Sequence, residues 1–128
     1  MGKVFVATIG GHDLEPARRY GELTYLTTRG YNPHYVDRLM FELTEKLREF
    51  NPAEDYYLPV GQLFINMAAL YILAQWHDKI PVLYWDAKNE KYVTVKFSPK
   101  MVETCVNNLK LREEIENDNQ FGRIESAN

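Results

Sequence analysis

The chain has 128 residues, the length of one ordinary domain, so it can bury a core without metal or disulfide staples. Hydrophobic residues make up 45% and charged residues 26%, a balance that argues against disordered and fibrous classes. The net charge is -3, and residues 112–128 hold five acids against two bases, which leaves the preceding residues balanced. No basic field is therefore expected to attract nucleic acid.

The cysteine content and the length of the apolar runs limit the compartments in which the protein is expected. Cys105 is the only cysteine, which excludes an internal disulfide and a cysteine-built zinc site. The densest apolar run, residues 63–76, is too short to span a bilayer, and no secretory signal pattern opens the chain. We expect a cytoplasmic protein without a membrane partner, a metal or a cofactor.

The first quarter of the chain predicts strand, short helix and strand. Residues Lys3–Thr8 are rich in β-formers. Residues 14–20 suit a short helix with Pro16 in its first turn, and Gly21 suits its end. Residues 23–28 alternate as a second strand does, and residues 29–32 form a loop.

A strongly amphipathic helix follows, with Asn32 as N-cap and Pro33 as its first residue. One stripe faces the core and consists of Val36, Leu39, Met40, Leu43, Leu47 and Phe50. Residues 55–60 then predict a third strand, which Pro59 keeps short because proline cannot donate to a sheet ladder.

The second half predicts a helix, a hairpin and a last helix. Residues 62–77 are helical and apolar on nearly every face, which favours cover on both sides, with a partner subunit as one candidate cover. Residues 80–85 read as a strand buried on both faces, joined through the polar turn 86–90 to residues 91–97. Ser98 and Pro99 open the last helix.

These elements predict one α/β domain over residues 1–97, a small Rossmann-like or flavodoxin-like sandwich with about four mostly parallel strands and a C-terminal hairpin strand. The terminal helix, residues 98–115, carries a narrow apolar stripe and would pack on the domain or on a partner. Residues 116–128 are acidic and without periodicity, which indicates a mobile tail.

The candidate site is the edge where the first, third and fourth strands end. There we expect Gly10, Gly11, His12 and Asp13, then Gly61 and Gln62, then the turn at Asp86 to Lys88. Ligands bind in the crevice at such edges, and glycines let a ligand approach the backbone. The helix after Gly61 begins with unpaired N–H groups and the positive end of its dipole, which favours a phosphate or carboxylate.

Side chains near this edge offer further contacts. Arg18 and Arg19 could supply forked donors to an anion. Four aromatic residues are available to stack on a base, namely Tyr20, Tyr31, Tyr57 and Trp85.

Each of these features also has a purely structural interpretation. The two glycines can form a simple turn, and Asp13 can cap the short helix. Arg18 and Arg19 can pair with Glu15 and Glu22 on a solvated surface. Asn66, on an otherwise apolar helix, can bond to backbone or to a subunit mate, and we favour that over ligand contact.

Missing motifs narrow the chemistry. Serine occurs only at Ser98 and Ser126, which excludes a serine triad hydrolase. Neither a P-loop nor the spaced Gly-x-Gly-x-x-Gly dinucleotide motif is present. Any enzymatic route would use His12, Asp13, a glutamate or a tyrosine, and whether the chain is an enzyme stays open.

Several short motifs together resemble a group of small bacteriophage proteins of unassigned function. They are Gly11-His12-Asp13, the run from Ala17 to Leu23, Tyr25-Leu26-Thr27, Asp55-Tyr56, Ala68-Ala69 and the segment from Ala74 to His77. The resemblance covers Lys3 to about Trp85. It implies a phage protein acting in the host cytosol, where small phage proteins sequester or destroy signalling nucleotides of bacterial defence systems.

Three hypotheses follow. The first is a homo-oligomeric binding protein for a phosphate-bearing, nucleotide-like molecule, with contacts from Gly10, Gly11, His12, Asp13, Arg18, Arg19, Gly61 and Gln62. The second is a module that binds a host macromolecule through its apolar helix faces. The third is a hydrolase acting on a nucleotide through His12 or a carboxylate.

Overall fold

The computed structural model describes residues 2–9, 13–27 and 33–126, without the side chains of Pro33 and of residues 120–126. The chain forms two compact units, Met1–Phe97 and Ser98–Asn128.

The first unit is built on a five-stranded sheet. Its strands are β1 (Lys3–Thr8), β2 (Glu22–Thr27), β3 (Tyr56–Leu58), β4 (Ile80–Asp86) and β5 (Lys91–Phe97), in the spatial order β2-β1-β3-β4-β5. The pairs β1–β2, β1–β3 and β3–β4 are parallel, and β5 runs antiparallel to β4. The predicted α/β architecture, with a mostly parallel sheet and a C-terminal hairpin, is confirmed.

A layer of helices covers each face of the sheet. Alternate side chains of β1 contribute to the two cores beneath these layers. Phe5 and Ala7 belong to the core beneath α1 (Val36–Leu47) and α2 (Leu63–Trp76). Val4 and Val6 belong to the core beneath a 3-10 helix, Glu15–Tyr20. Successive side chains of a strand point to opposite faces, so β1, which lies between β2 and β3, supplies both cores.

The start of β1 is anchored by a buried carboxylate. Asp55 Oδ1 accepts a 2.8 Å hydrogen bond from the Lys3 backbone N–H, and Oδ2 accepts a 2.7 Å bond from the Asn51 N–H. Because a buried carboxylate needs such partners, Asp55 fixes the turn before β3 against the first strand. β3 itself has three residues and ends before Pro59, as its sequence predicted.

Helix α1 starts later than the sequence predicted. Residues Pro33–Tyr35 form a 3-10 turn, and α1 begins at Val36 after Tyr35, whose φ of -125° and ψ of 41° interrupt the helix. The predicted N-cap, Asn32, lies outside the described residues. The predicted stripe is correct, because Leu39, Leu43 and Leu47 are buried and Phe50 is buried just beyond the helix.

The expectation that β4 is buried on both faces is wrong for its second half. The strand is covered up to Leu83, whereas Tyr84 and Trp85 are exposed. The neighbouring strand β3 stops at Leu58, so the end of β4 extends past its partner and pairs with β5 alone. These two aromatic residues are therefore free to form a surface.

The second unit is one long helix, α3 (Pro99–Ser126). Its start is as predicted, since Ser98 Oγ accepts a 3.1 Å hydrogen bond from the Met101 N–H. The helix continues to Ser126. The sequence had predicted a helix that ends before residue 116, followed by a mobile tail. Loss of apolar periodicity removes a packing stripe but does not stop a helix, and no proline follows Pro99. Among the described residues, no helix is both long and apolar enough to cross a membrane.

Candidate functional site

The carboxyl ends of β1 and β3 form a topological switch point. After β1 the chain crosses one face to reach β2, and after β3 it crosses the other face through α2 to reach β4. The two connections diverge, which opens a crevice of the kind that holds ligands in open α/β sheets. Gly10, Gly11 and His12 follow β1 at this edge in the sequence but lie outside the described residues.

Gly61 lies against the end of β1. Its φ of +89° is in the left-handed region, which side chains disfavour. A Cβ at this position would be 3.2 Å from Thr8 Oγ1. The third-strand turn and the end of the first strand are thus in close contact, as the sequence analysis expected for Gly61.

A buried amide holds this turn in place. The Tyr57 hydroxyl donates a 2.7 Å hydrogen bond to Asn66 Oδ1, and Asn66 Nδ2 donates to the carbonyls of Val60 at 3.1 Å and Gln62 at 3.0 Å. Burial raises the pKa of the Tyr57 hydroxyl well above its ordinary value. The structural interpretation of Asn66 is therefore confirmed, with backbone carbonyls as its partners.

The start of α2 presents donors to the crevice. The helix begins at Leu63 after the N-cap Gln62, and the Asn66 N–H donates to the Gln62 carbonyl at 3.2 Å, so the positive end of the helix dipole lies at this turn. The N-cap, Gln62, makes no side-chain capping bond. Its Oε1 is buried without a hydrogen-bond partner in the described part of the chain. Donors with the positive end of the helix dipole favour an anion.

An aromatic cleft adjoins this helix start on the face of the 3-10 helix. It has a volume of about 260 Å³, and the described residues that line it are Asp13, Leu14, Pro16, Val60, Trp85 and Tyr92. The rings of Trp85 and Tyr92 meet edge to face across the hairpin, with centroids 4.9 Å apart. Val60, which lines the cleft, directly precedes Gly61 in the chain.

The charge in the cleft comes from Asp13. Burial, and to a lesser degree the negative charge of Asp13, raise the pKa of the Tyr92 hydroxyl. Asp13 Oδ1 also accepts a 3.0 Å hydrogen bond from the Glu15 N–H, two residues on, whereas the N-cap position of the 3-10 helix is Leu14 and not Asp13 as predicted. Its second oxygen, Oδ2, has the capacity to accept a bond from a ligand N–H or O–H.

The two arginines are engaged elsewhere. Arg18 Nε contacts Glu15 Oε2 at 2.8 Å, which is the local pairing that the sequence allowed. The Arg19 guanidinium carbon lies 5.4 Å from the centroid of the Tyr20 ring. Neither arginine is among the described residues that line the cleft.

The remaining candidates from the sequence have structural roles or lie outside the described residues. Tyr57 is fully buried and cannot stack on a ligand, and Tyr31 lies outside the described residues. Tyr20 donates a 3.1 Å hydrogen bond to the Tyr92 carbonyl and so braces the cleft wall. Asp86 accepts bonds from Asn89 and from the Lys88 N–H, which lower its pKa and build the hairpin turn.

Tyr92 forms a wall of the cleft and was not predicted as a site residue from the sequence. The hairpin register pairs Trp85 with Tyr92 and Asp86 with Lys91. Counting back from the polar turn identifies Tyr92 as the cross-strand neighbour of Trp85, so the signal was present in the sequence. Among the described residues, no group of three His, Cys, Asp or Glu side chains lies close enough to hold a metal ion.

Comparison with known proteins places the chain among phage proteins. The model of the family described as "Phage Pam3 gp32-like protein" matches residues 3–99, which is more than half of the chain and nearly all of the first unit. No significant match was found among curated proteins or among solved structures. The expected resemblance to small phage proteins is confirmed at the level of the family, and the chain belongs to the Phage Pam3 gp32-like protein family.

Proposed function

We propose that this protein binds a nucleotide, with the phosphate at the start of α2 and the base in the aromatic cleft. The observation that carries the proposal is the switch point between β1 and β3, where the left-handed Gly61 turn sets the start of α2, with the positive end of its dipole, beside the end of β1. This combination of topology and dipole suits an anion.

The adjoining cleft suits the uncharged part of the same ligand. Trp85 is partly exposed and offers a ring for stacking, and the Asp13 carboxylate can accept hydrogen bonds from an amino group or a ribose hydroxyl. A second phosphate would be repelled by Asp13, so the cleft favours a base over a longer phosphate chain. Arg18 and Arg19, which have local partners, are left out of the proposed contacts.

Titration calorimetry with nucleoside monophosphates and with inorganic phosphate tests this assignment. We expect Trp85→Leu to weaken nucleotide binding about tenfold or more, since base stacking on an aromatic side chain is worth about 1–3 kcal/mol. Phosphate binding should be unchanged in that variant. Trp76→Leu, at the opposite end of α2 and with similar exposure, is the matched control and should bind as the wild type does.

The phosphate part is tested separately. Thr8→Val keeps the shape of the side chain but removes the hydroxyl beside Gly61, and Gly61→Ala inserts a methyl group against it. Both should weaken phosphate and nucleotide alike, with folding checked by circular dichroism. Binding of neither probe to the wild type would overturn the proposal, as would equal binding by the wild type and both variants.

For the biological role we favour sequestration of a signalling nucleotide that a host defence system produces. Family membership supports a phage setting, and one carboxylate oxygen of Asp13 already accepts a hydrogen bond from the Glu15 N–H. Incubation followed by chromatography distinguishes the alternatives. Recovery of the intact nucleotide supports sequestration, whereas release of a cleaved product would favour the hydrolase hypothesis, with His12→Ala as the variant to examine.

A further inference from the structure

The outward face of α2 is apolar from Leu63 to Tyr71, and the next exposed residue of the same row is the uncharged Gln75. Leu63, Met67 and Tyr71 recur every four residues and are 73%, 62% and 73% exposed. Phe64 flanks this row with 39% exposure. These four residues are called the α2 face below. No residue of the helix, Leu63–Trp76, carries a charge.

The core of the first unit does not account for this face. The side of α2 that meets the sheet is made by Ile65, Asn66, Ala69 and Leu73, all of them buried. A helix with one buried side normally carries polar residues on the other, and a helix apolar all round is covered on both sides. Exposed apolar patches of this kind mark an interaction surface.

We propose that the α2 face is a self-association surface, on which α2 of a second copy packs in an isologous dimer. In a two-fold contact the same patch meets itself, so any charge near its centre would oppose its own copy. The α2 face contains none. Its uniform apolarity also resembles permanent homodimer interfaces, which are more apolar than those of transient complexes.

The exposed area of the four residues supplies more than half of what a dimer requires. With roughly 200 Å² for one large apolar side chain, the exposed fractions of the four residues amount to about 500 Å². A stable interface buries about 800 Å² on each partner. The remainder can come from Leu70, Ala74 and Gln75, which border the row and are also uncharged. Such a face needs cover from the moment the chain folds, and another copy is the partner then at hand.

This inference does not depend on the nucleotide proposal. The ligand contacts proposed above are backbone N–H groups and the cleft of Asp13 and Trp85, whereas the α2 face consists of side chains. Loss of binding without loss of the dimer, or the converse, therefore separates the two proposals.

Light scattering coupled to gel filtration on the full chain, over a concentration series, tests the dimer. We expect wild-type particles of twice the 15.0 kDa chain mass. Met67→Glu should shift the mass to that of the monomer, since dimerisation would bury two carboxylates near the axis. Met101→Glu is the matched control, because Met101 is 63% exposed but lies on α3. It should leave the dimer intact.

A mixing experiment guards against a variant that merely misfolds. Met67→Glu and Met67→Lys should each be monomeric, and an equal mixture should recover the dimer because the opposite charges would meet across the axis. A monomeric wild type would overturn the proposal. So would a dimer that survives Met67→Glu, a dimer lost in Met101→Glu, which would indicate α3 as the cover, or a mixture that stays monomeric.

Discussion

The hydroxyl of Tyr57 and the amide of Asn66 form a 2.7 Å hydrogen bond inside the core, between the short third strand and the second helix. Through its Nδ2 group the same amide holds the carbonyls of Val60 and Gln62. One buried polar pair therefore determines where α2 starts relative to the sheet. The position of the candidate site depends on it.

Removal of the Tyr57 hydroxyl should destabilise the fold. In Tyr57→Phe the Asn66 oxygen stays buried without its donor, and an unsatisfied buried acceptor costs about 1–3 kcal/mol. Urea denaturation measures the change in the free energy of unfolding. Tyr84→Phe, at an exposed tyrosine, is the control and should stay within about 0.5 kcal/mol of the wild type. Equal losses in both variants would contradict a structural role for the bond.

Stability should fall at alkaline pH because of the same residue. In the unfolded chain Tyr57 ionises near its ordinary pKa of 10.0, whereas burial raises its pKa in the folded state. Above pH 10 the folded state thus holds a proton that the unfolded state has lost, so stability declines as pH rises and is fully present below that value.

Comparison of two variants isolates this contribution. Above pH 10 the free energy of unfolding should fall with pH more steeply in the wild type and in Tyr84→Phe than in Tyr57→Phe. The difference in slope should reach about 1.4 kcal/mol per pH unit. Tyr92, whose pKa is also raised, is present in all three proteins and cancels from the comparison. Parallel slopes in the three proteins would show that Tyr57 does not remain protonated there.

Two glycines with positive φ should differ in their tolerance of alanine. At Gly61 the new methyl group would meet Thr8 Oγ1, the end of a rotatable side chain. At Gly21 it would collide with the backbone carbonyl of Gly2, which is held beside β2 by the Glu22 N–H. We expect Gly61→Ala to cost about 1–2 kcal/mol, and Gly21→Ala to cost more. Thermal unfolding of the two variants gives the order, and the reverse order would contradict these contacts.

The start of α3 should depend on one hydroxyl. Ser98→Ala removes the acceptor for the Met101 N–H and should cost the helix about 1 kcal/mol. Faster amide hydrogen exchange over the first turn of α3 would report the loss. Ser98→Asp, which restores an acceptor, should bring exchange back toward the wild-type rate. If alanine and aspartate behave alike, the cap does not stabilise the helix.

The sequence predicted the strands and helices well because their signals are local. A run of β-forming residues identifies β1, and the spacing of Leu39, Leu43 and Leu47 identifies α1. The exposure of Tyr84 and Trp85 could not be read locally, since it arises from the shortness of a neighbouring strand. The continuation of α3 past residue 116 was missed because a helix without an apolar stripe gives little periodic signal.

The position of the Gly61 turn was predicted from the sequence, whereas the lining of the cleft was not. Glycine after a strand marked the Gly61 turn, and the predicted parallel order placed it beside the first strand's end. The cleft required the hairpin register that sets Tyr92 opposite Trp85. The local partners of Arg18 and Arg19 follow from side-chain geometry, for which the sequence offered only candidates.

The lysines of β5 bear on how copies of this protein can assemble. β5 is the last strand of the sheet, and Lys91 and Lys96 are exposed along it. An outer strand bearing charged lysines resists pairing with a strand of another molecule, because a matching copy would bring ammonium groups together. Growth of the sheet from chain to chain is thereby discouraged, which protects the protein from aggregation through this edge.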